Sequence, residues 1–239
     1  MSKRSPFRYF RTSPEIIRLA VMMYVRFPLS LRNVEDLLHE RGIEVSHETV
    51  RFWWQRFGPM FAAEIRRKRV AGLRSSRWRW HLDEVFIKIN GRVHYLWRAV
   101  DQDGNVLDIL VQSKRNKKAA KRFFRKLLKG LQYVPRVIIT DKLKSYGAAK
   151  AEIMPGVEHR QHKGLNNRAE NSHQPTRVRE KVMRRFKSAR HAQQFLSAFE
   201  IICSHFRPRR HLLTAEHYRK EMRSRLATWN EVSCVQIAA

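Results

Sequence analysis

At 239 residues with 43% hydrophobic content, the chain is long enough for one ordinary domain plus a small one, each with a real apolar core. Its 50 Lys+Arg against 21 Asp+Glu leave a net charge of +29, which repels itself unless a polyanion is the working partner, and nucleic acid leads a membrane surface for that role. No apolar run approaches the roughly 20 residues that span a bilayer and no basic-then-apolar signal opens the chain, so a cytosolic protein is expected, and Cys203 and Cys234 are too few for a disulfide framework or a zinc finger.

After a basic arm at Lys3, Arg4, Arg8 and Arg11, Ser13-Pro14 reads as an N-cap followed by proline at the first helical position, with Ile16, Ala20 and Met23 on one face. Ser30 can cap a second helix carrying Val34, Leu37 and Leu38 and ending at Gly42. A third begins at Ser46, turns Val50, Trp53 and Phe57 inward and is expected to stop at Gly58-Pro59. The short link from Gly42 to Ser46 suits a helix-turn-helix. Its second helix would then offer Ser46, His47, Thr49, Arg51, Gln55 and Arg56 to bases or phosphates. An ordinary three-helix bundle has the same pattern.

A basic connector, Arg66 to Arg79, leads to strand-like alternation. Trp80 to Ile89, an Asn90-Gly91 turn, Val93 to Val100, an Asp103-Gly104 turn and Val106 to Val111 predict an antiparallel meander. A basic helix from about Asn116 to Leu131 carries an apolar stripe of Ala119, Phe123, Phe124, Leu127 and Leu128. Val137 to Ile139 reads as a short buried strand ending at Thr140-Asp141, followed by a helix near Lys144 to Lys150 and a last strand near Val157 to Gln161. After the link "HKGLNNR" come two helices, about Asn167 to Phe186 with Pro175 bending it and Ala189 to Phe206 with Cys203 as a buried thiol. The order is βββαβαβα plus further helix, a mixed α/β (α+β) fold. The predicted division is a helix-turn-helix domain over 1–65, the connector over 66–79, a sheet-containing domain over 80–210 and a C-terminal tail over 211–239.

Few acids interrupt this basic chain, and three fall where a sheet could gather them: Asp83 on the first strand, Asp141 at the carboxyl end of the fourth, and Glu170 at the start of a helix after the fifth. Clustered carboxylates repel one another, and hard divalent cations make them tolerable. Two such ions about 3.5–4 Å apart can stabilise both oxygens of an in-line phosphoryl displacement. Each acid also has a structural reading. Asp83 or Glu84 can sit on the exposed face of the strand, Asp141 can be a turn residue, and Glu170 can answer Asn167 in a capping arrangement.

The segments "HERGIEVSHETVRFWWQRF", "WHLDEVFIKINGRVHYLWRAVDQDG", "SKRNKKAAKRFF", "IITDKLKSYGAA" and "VEHRQHKGLNNRAENSHQPTRVRE" together resemble the DDE transposases of bacterial insertion sequences, most closely insertion-sequence family 6. That resemblance covers nearly the whole chain. It implies a ribonuclease H-like core behind the helix-turn-helix, Asp83, Asp141 and Glu170 as catalytic and metal-binding triad, and Glu84 as a neighbour on the other face of the strand. It further implies two Mg²⁺ ions, with Mn²⁺ able to substitute, acting on double-stranded DNA at terminal inverted repeats and target. A homodimer or higher oligomer on DNA, a replicative, cointegrate-forming route and a bacterial, nucleoid-associated location follow from the same resemblance. The step of 29 residues from Asp141 to Glu170 is shorter than is usual for the family. Lys114, Arg115, Lys117 and Lys142 are further candidates for holding the DNA backbone, as are Arg177, Lys181 and Arg184, which would share a helix face with Glu170. A non-catalytic DNA-binding regulator, or a nuclease of the same fold, would use many of the same residues.

Overall fold

The structure, a computed structural model, describes residues 5–73, 79–162 and 166–233. Lys3 and Arg4 of the basic arm, residues 74–78 of the connector, 163–165 of the "HKGLNNR" link and Cys234 lie outside them. Helix α1 spans Pro14–Arg26, with Ser13 accepting from the Ile16 amide. Its buried face is Ile17, Ala20, Val21, Tyr24 and Val25, rotated from the predicted Ile16 and Met23. Helix α2, Leu31–His39, starts with a reciprocal cap in which the Asn33 amide donates to Ser30 Oγ (3.1 Å) and the Ser30 amide donates to Asn33 Oδ1 (3.0 Å). Gly42 follows at φ 69°, the left-handed conformation glycine adopts without steric cost.

Helix α3 runs His47–Leu73, straight through the predicted stop at Gly58-Pro59. Proline inside a helix costs about 3 kcal/mol through a lost hydrogen bond and a ring clash. Against it stand Trp53, Trp54, Phe57, Phe61, Ala62 and Ile65, all buried at helical spacing, and each large apolar side chain contributes about 1.5–3 kcal/mol. Gly58 belongs to the same face for a steric reason. A Cβ there would lie 2.6 Å from the Trp54 ring. Gly58→Ala should therefore lower stability by about 1–3 kcal/mol through overpacking, more than the roughly 1 kcal/mol that alanine's helix propensity returns. Urea midpoints would test this, and a stabilised variant would show that Trp54 repacks freely.

Strands β1 (Arg79–Ile89), β2 (Arg92–Val100) and β3 (Val106–Gln112) form the predicted meander. β1 turns into β2 through Asn90 (φ 49°) and Gly91 (φ 75°). β4 (Val137–Thr140) and β5 (Glu158–Gln161) add in parallel, giving the order β3-β2-β1-β4-β5. With α4 (Lys117–Leu131) after β3 and α5 (Lys144–Ile153) after β4, this is a ribonuclease H-like arrangement. Parallel strands need crossovers, and those two helices provide them over one sheet face, where Trp80, Leu82 and Trp97 meet Phe123, Phe124, Leu127 and Tyr146.

The other face, through Ile87, Leu96, Val100 and Ile109, packs under α8 (Ala189–His205), and that core continues into α1 and α3. The stretch expected as one helix from Asn167 to Phe186 is two, α6 (Asn167–Ser172) and α7 (Gln174–Val182), broken at His173 beside Pro175. Residues after Leu213, given no element from the sequence, form α9 (Ala215–Ser233), whose Trp229 packs edge-on against Phe61 (5.1 Å) and Phe206 (5.4 Å). Cys203 is buried as expected. Among the described residues no helix is long and apolar enough to cross a membrane.

Candidate active site

Alternation along β1 sends Asp83 and Glu84 to opposite faces of the sheet. Asp83 is level with Arg98 of β2 in the antiparallel register. On its other side, β1 pairs with β4 through His81 and Ile139, and continuing that parallel register by two residues sets Asp83 level with Asp141. Both acids thus stand where adjacent parallel strands end or lose their partner, the place where open α/β sheets present ligand-binding groups. Asp83 is 8% exposed, and burial pushes its carboxyl above the ordinary value.

Asp141 is half-buried. Its Oδ1 accepts from the Leu143 amide at 3.0 Å, closing the turn into α5, and its Oδ2 faces Arg115 Nη2 at 3.6 Å. The turn-residue reading of Asp141 is therefore met by one oxygen, and the second remains directed to the site. Arg115 also holds Glu84 at 2.5 Å. Glu84 does not lie on a solvated strand face: its side chain is fully enclosed, and through Arg115 it is coupled to Asp141. Burial pushes its carboxyl up to about 7 in spite of that guanidinium.

Glu170 lies in the first turn of α6 and is exposed. Asn167 forms no capping arrangement with it. The preceding residue, Asn166, is the N-cap, and its buried Nδ2 donates to Leu82 O at 2.9 Å, tying the start of α6 to β1 one residue from Asp83. One helical turn after Glu170, His173 Nε2 lies 3.2 Å from Asp83 Oδ2. Burial, then the nearby Arg98 and Arg177 cations, hold that imidazole well below its ordinary pKa, so it is neutral. Among the described residues no group of three or more His, Cys, Asp or Glu is gathered closely enough to hold a metal. The donor set nevertheless suits a hard cation: Asp83, Asp141 and Glu170 offer only carboxylate oxygens, and Asp83 carries the desolvation cost that a divalent ion would offset.

A family model described as a DDE domain matches residues 77–209, which contain all three acids and the whole sheet. The transposase for insertion sequence-like element IS431mec of Staphylococcus aureus is 32% identical over 212 residues, covering 87% of this chain and 91% of its own. The same figures hold for the transposase of insertion sequence element IS257 in transposon Tn4003, also from Staphylococcus aureus. This chain belongs to the DDE transposases, in insertion-sequence family 6. Among solved structures, the catalytic domain of Mos1 mariner transposase is 12% identical and matches with a TM-score of 0.39 over 74% of this chain and 93% of that one.

Within this family member the expected DNA-contacting residues fall into two groups. Ser46, His47, Thr49, Arg51, Gln55 and Arg56 lie at or near the start of α3. There the Thr49 amide donates to Ser46 Oγ (3.2 Å), His47 Nδ1 meets Glu35 (3.0 Å), and Arg51 pairs with Glu48 (2.6 Å). Lys114, Lys142 and Lys181 are exposed, Lys117 is tied to Glu152, and Arg115 serves the carboxylates described above. Arg177 and Lys181 ride on α7, but Arg184 lies beyond its end at φ 53°, so the single helix face expected to run from Glu170 to Arg184 does not form. Two site residues escaped the sequence reading, His173 and Arg98. Each left a signal: His173 follows Glu170 by one helical turn, and Arg98 interrupts an apolar strand as Asp83 does.

Glu84 makes the site sensitive to pH. Its folded-state pKa near 7 lies above the unfolded value of 4.5, so between those values the folded chain binds the extra proton and stability falls as pH rises. Glu84→Gln should remove this slope, gaining about 2 kcal/mol over the wild type at pH 8 and little at pH 4. Urea unfolding at the two pH values would decide it; equal gains at both would place the effect elsewhere.

Proposed function

We propose that this protein binds the terminal inverted repeats of an insertion sequence, cuts at their ends and joins them to target DNA, using divalent metal held by Asp83, Asp141 and Glu170. The observation that carries the reading is the β1/β4 register, which aligns Asp83 with Asp141 at the rim of a basic fold. Mg²⁺ bound by these carboxylates would supply Lewis-acid polarisation of phosphate oxygens and an activated water, with Mn²⁺ as a substitute. The chain's own part is placement. Neutral His173 lies against Asp83, Arg115 bridges Asp141 and Glu84, and Asn166 ties α6 to β1. In the first step a water oxygen attacks the phosphate at the element's end and a 3′ hydroxyl leaves. In the second that hydroxyl loses its proton and its oxygen bonds to a target phosphorus, while the target strand's own 3′ oxygen leaves and takes up a proton. No protein nucleophile is required.

The DNA route is supported by a cleft of about 1220 Å³ between α2 and the first turns of α3 on one side and α7 and α8 on the other. Arg32, His47, Arg51, Arg184 and Lys187 line it, so phosphates could follow cations from the helix-turn-helix toward the carboxylates. Two or more protomers pairing the element's ends, and a replicative, cointegrate-forming outcome, complete the proposal, with the bacterial nucleoid as its setting.

The purified protein, incubated with labelled candidate repeats, a target plasmid and Mg²⁺, is expected to nick at the repeat ends and produce strand-transfer products. EDTA should abolish both without abolishing repeat binding, and Mg²⁺ or Mn²⁺ should restore them. Repeats bound but never nicked under any divalent ion would make the protein a DNA-binding regulator; nicking that never leads to joining would make it a nuclease.

A further inference from the structure

Beyond His81, β1 has no strand partner on its β4 side among the described residues, and this open edge faces α7 and the segment after it, joined by one parallel bridge from Ile89 to Phe186. Between them lies a cavity of about 620 Å³. Phe86 forms part of its wall and is 57% exposed, although both residues flanking it on the strand are at least partly buried. Five cations line it, Lys88, Arg177, Arg184, Arg185 and Lys187, with Glu180 as its acid and Asn90, Gly91 and Phe186 completing the wall. Arg177 pairs with Glu180 at 3.5 Å and also stands over the Phe86 ring, 5.4 Å from its centroid. Arg184 and Arg185 enter the lining through consecutive left-handed conformations (φ 53° and 80°), which side-chain-bearing residues rarely adopt.

An exposed aromatic face among cations is the composition of a platform for an unpaired base: the ring stacks on the base while the cations hold the backbone on either side. Phe86 follows Asp83 by three strand residues, about 10 Å, and alternation puts it on the Glu84 face of β1, so a strand end held at Asp83 would reach the ring around the open edge of the strand. We propose that Phe86 is a stacking site for an unpaired nucleobase of the DNA strand end beside the carboxylates, with Arg177 closing over it and Arg184 and Lys187 holding the adjoining phosphates. The proposal rests on the DNA-processing reading above, and it adds a site that reads the unpaired state of the strand and not its sequence.

Fluorescence anisotropy with two labelled candidate-repeat duplexes tests it, one blunt and one with its last base pairs mismatched, using full-length wild type, Phe86→Ala and Phe86→Trp. The wild type should prefer the frayed end. Phe86→Ala should lose that preference by about tenfold with an unchanged salt slope, and Phe86→Trp should keep it. Arg177→Ala should instead lower the salt slope by about one. Wild type that binds both duplexes without preference, or Phe86→Ala that retains the preference, overturns the proposal alone. Binding of neither duplex overturns the functional reading and this site with it. A Phe86→Ala protein altered in oligomeric state by size-exclusion chromatography would assign the ring to contact between copies, and that also overturns the stacking role.

Discussion

Asp83→Asn is expected to reduce end cleavage and strand transfer by at least about 10³-fold while the protein still folds and binds candidate repeats. The amide keeps the shape of the carboxylate and can still meet His173, so what is removed is the anionic oxygen and little else. Burial raises the Asp83 pKa, which means its charge costs stability in the folded chain. A neutral amide should therefore leave the thermal midpoint level or higher, and this separates loss of chemistry from loss of fold. Asp141→Asn should act in the same direction on activity. Retained cleavage in either variant would remove that residue from the metal site, whereas a folded, DNA-binding and inactive Asp83→Asn would support it.

The largest effect on stability is expected from Glu200→Leu. Arg98 on β2 is fully buried, and its Nη2 pairs with Glu200 Oε1 of α8 at 2.6 Å. The same guanidinium donates to Ser172 O and to Thr176 Oγ1, and the Thr176 hydroxyl donates to Glu200. One buried cation thus ties the sheet to α6, α7 and α8. Removing its carboxylate leaves a charge without compensation in the core, a loss of about 3–5 kcal/mol, or a fall of about 10 °C in melting temperature for a chain of this size. The double variant Arg98→Met with Glu200→Leu should recover most of that stability, because the desolvation cost disappears with the charge. It should still lose activity, since α6, which carries Glu170, would no longer be anchored through Ser172. A double variant with normal cleavage would reduce the network to packing alone.

Much of this arrangement was legible because its signals are local. Ser13-Pro14, Ser30 and Asn116 each mark a helix start through the backbone amides they or their neighbours satisfy, and all three helices begin there. Asn90-Gly91 marks the hairpin because few other pairs accept two successive positive φ angles. Alternation placed Asp83 and Glu84 on opposite faces before any fold was known. The errors have the opposite character. Gly58-Pro59 reads locally as a stop, yet α3 continues because aromatic residues on both sides of it bury against the same core. The tail after Leu213 carries weak local periodicity and becomes helical with Trp229 packed on Phe61, a partner 168 positions earlier in the sequence.

By itself the sequence determined the element order, the strand alternation and the excess positive charge, since each depends on neighbouring residues or on a sum over the chain. Only the tertiary structure decided what the acids meet. Asp83 faces a neutral, buried His173, and Glu84 is enclosed and joined through Arg115 to Asp141, when strand periodicity alone allowed a solvated face. Solvation and pairing of a charge depend on which distant segments pack over it, and that is a property of the assembled sheet and helices, not of any window along the chain.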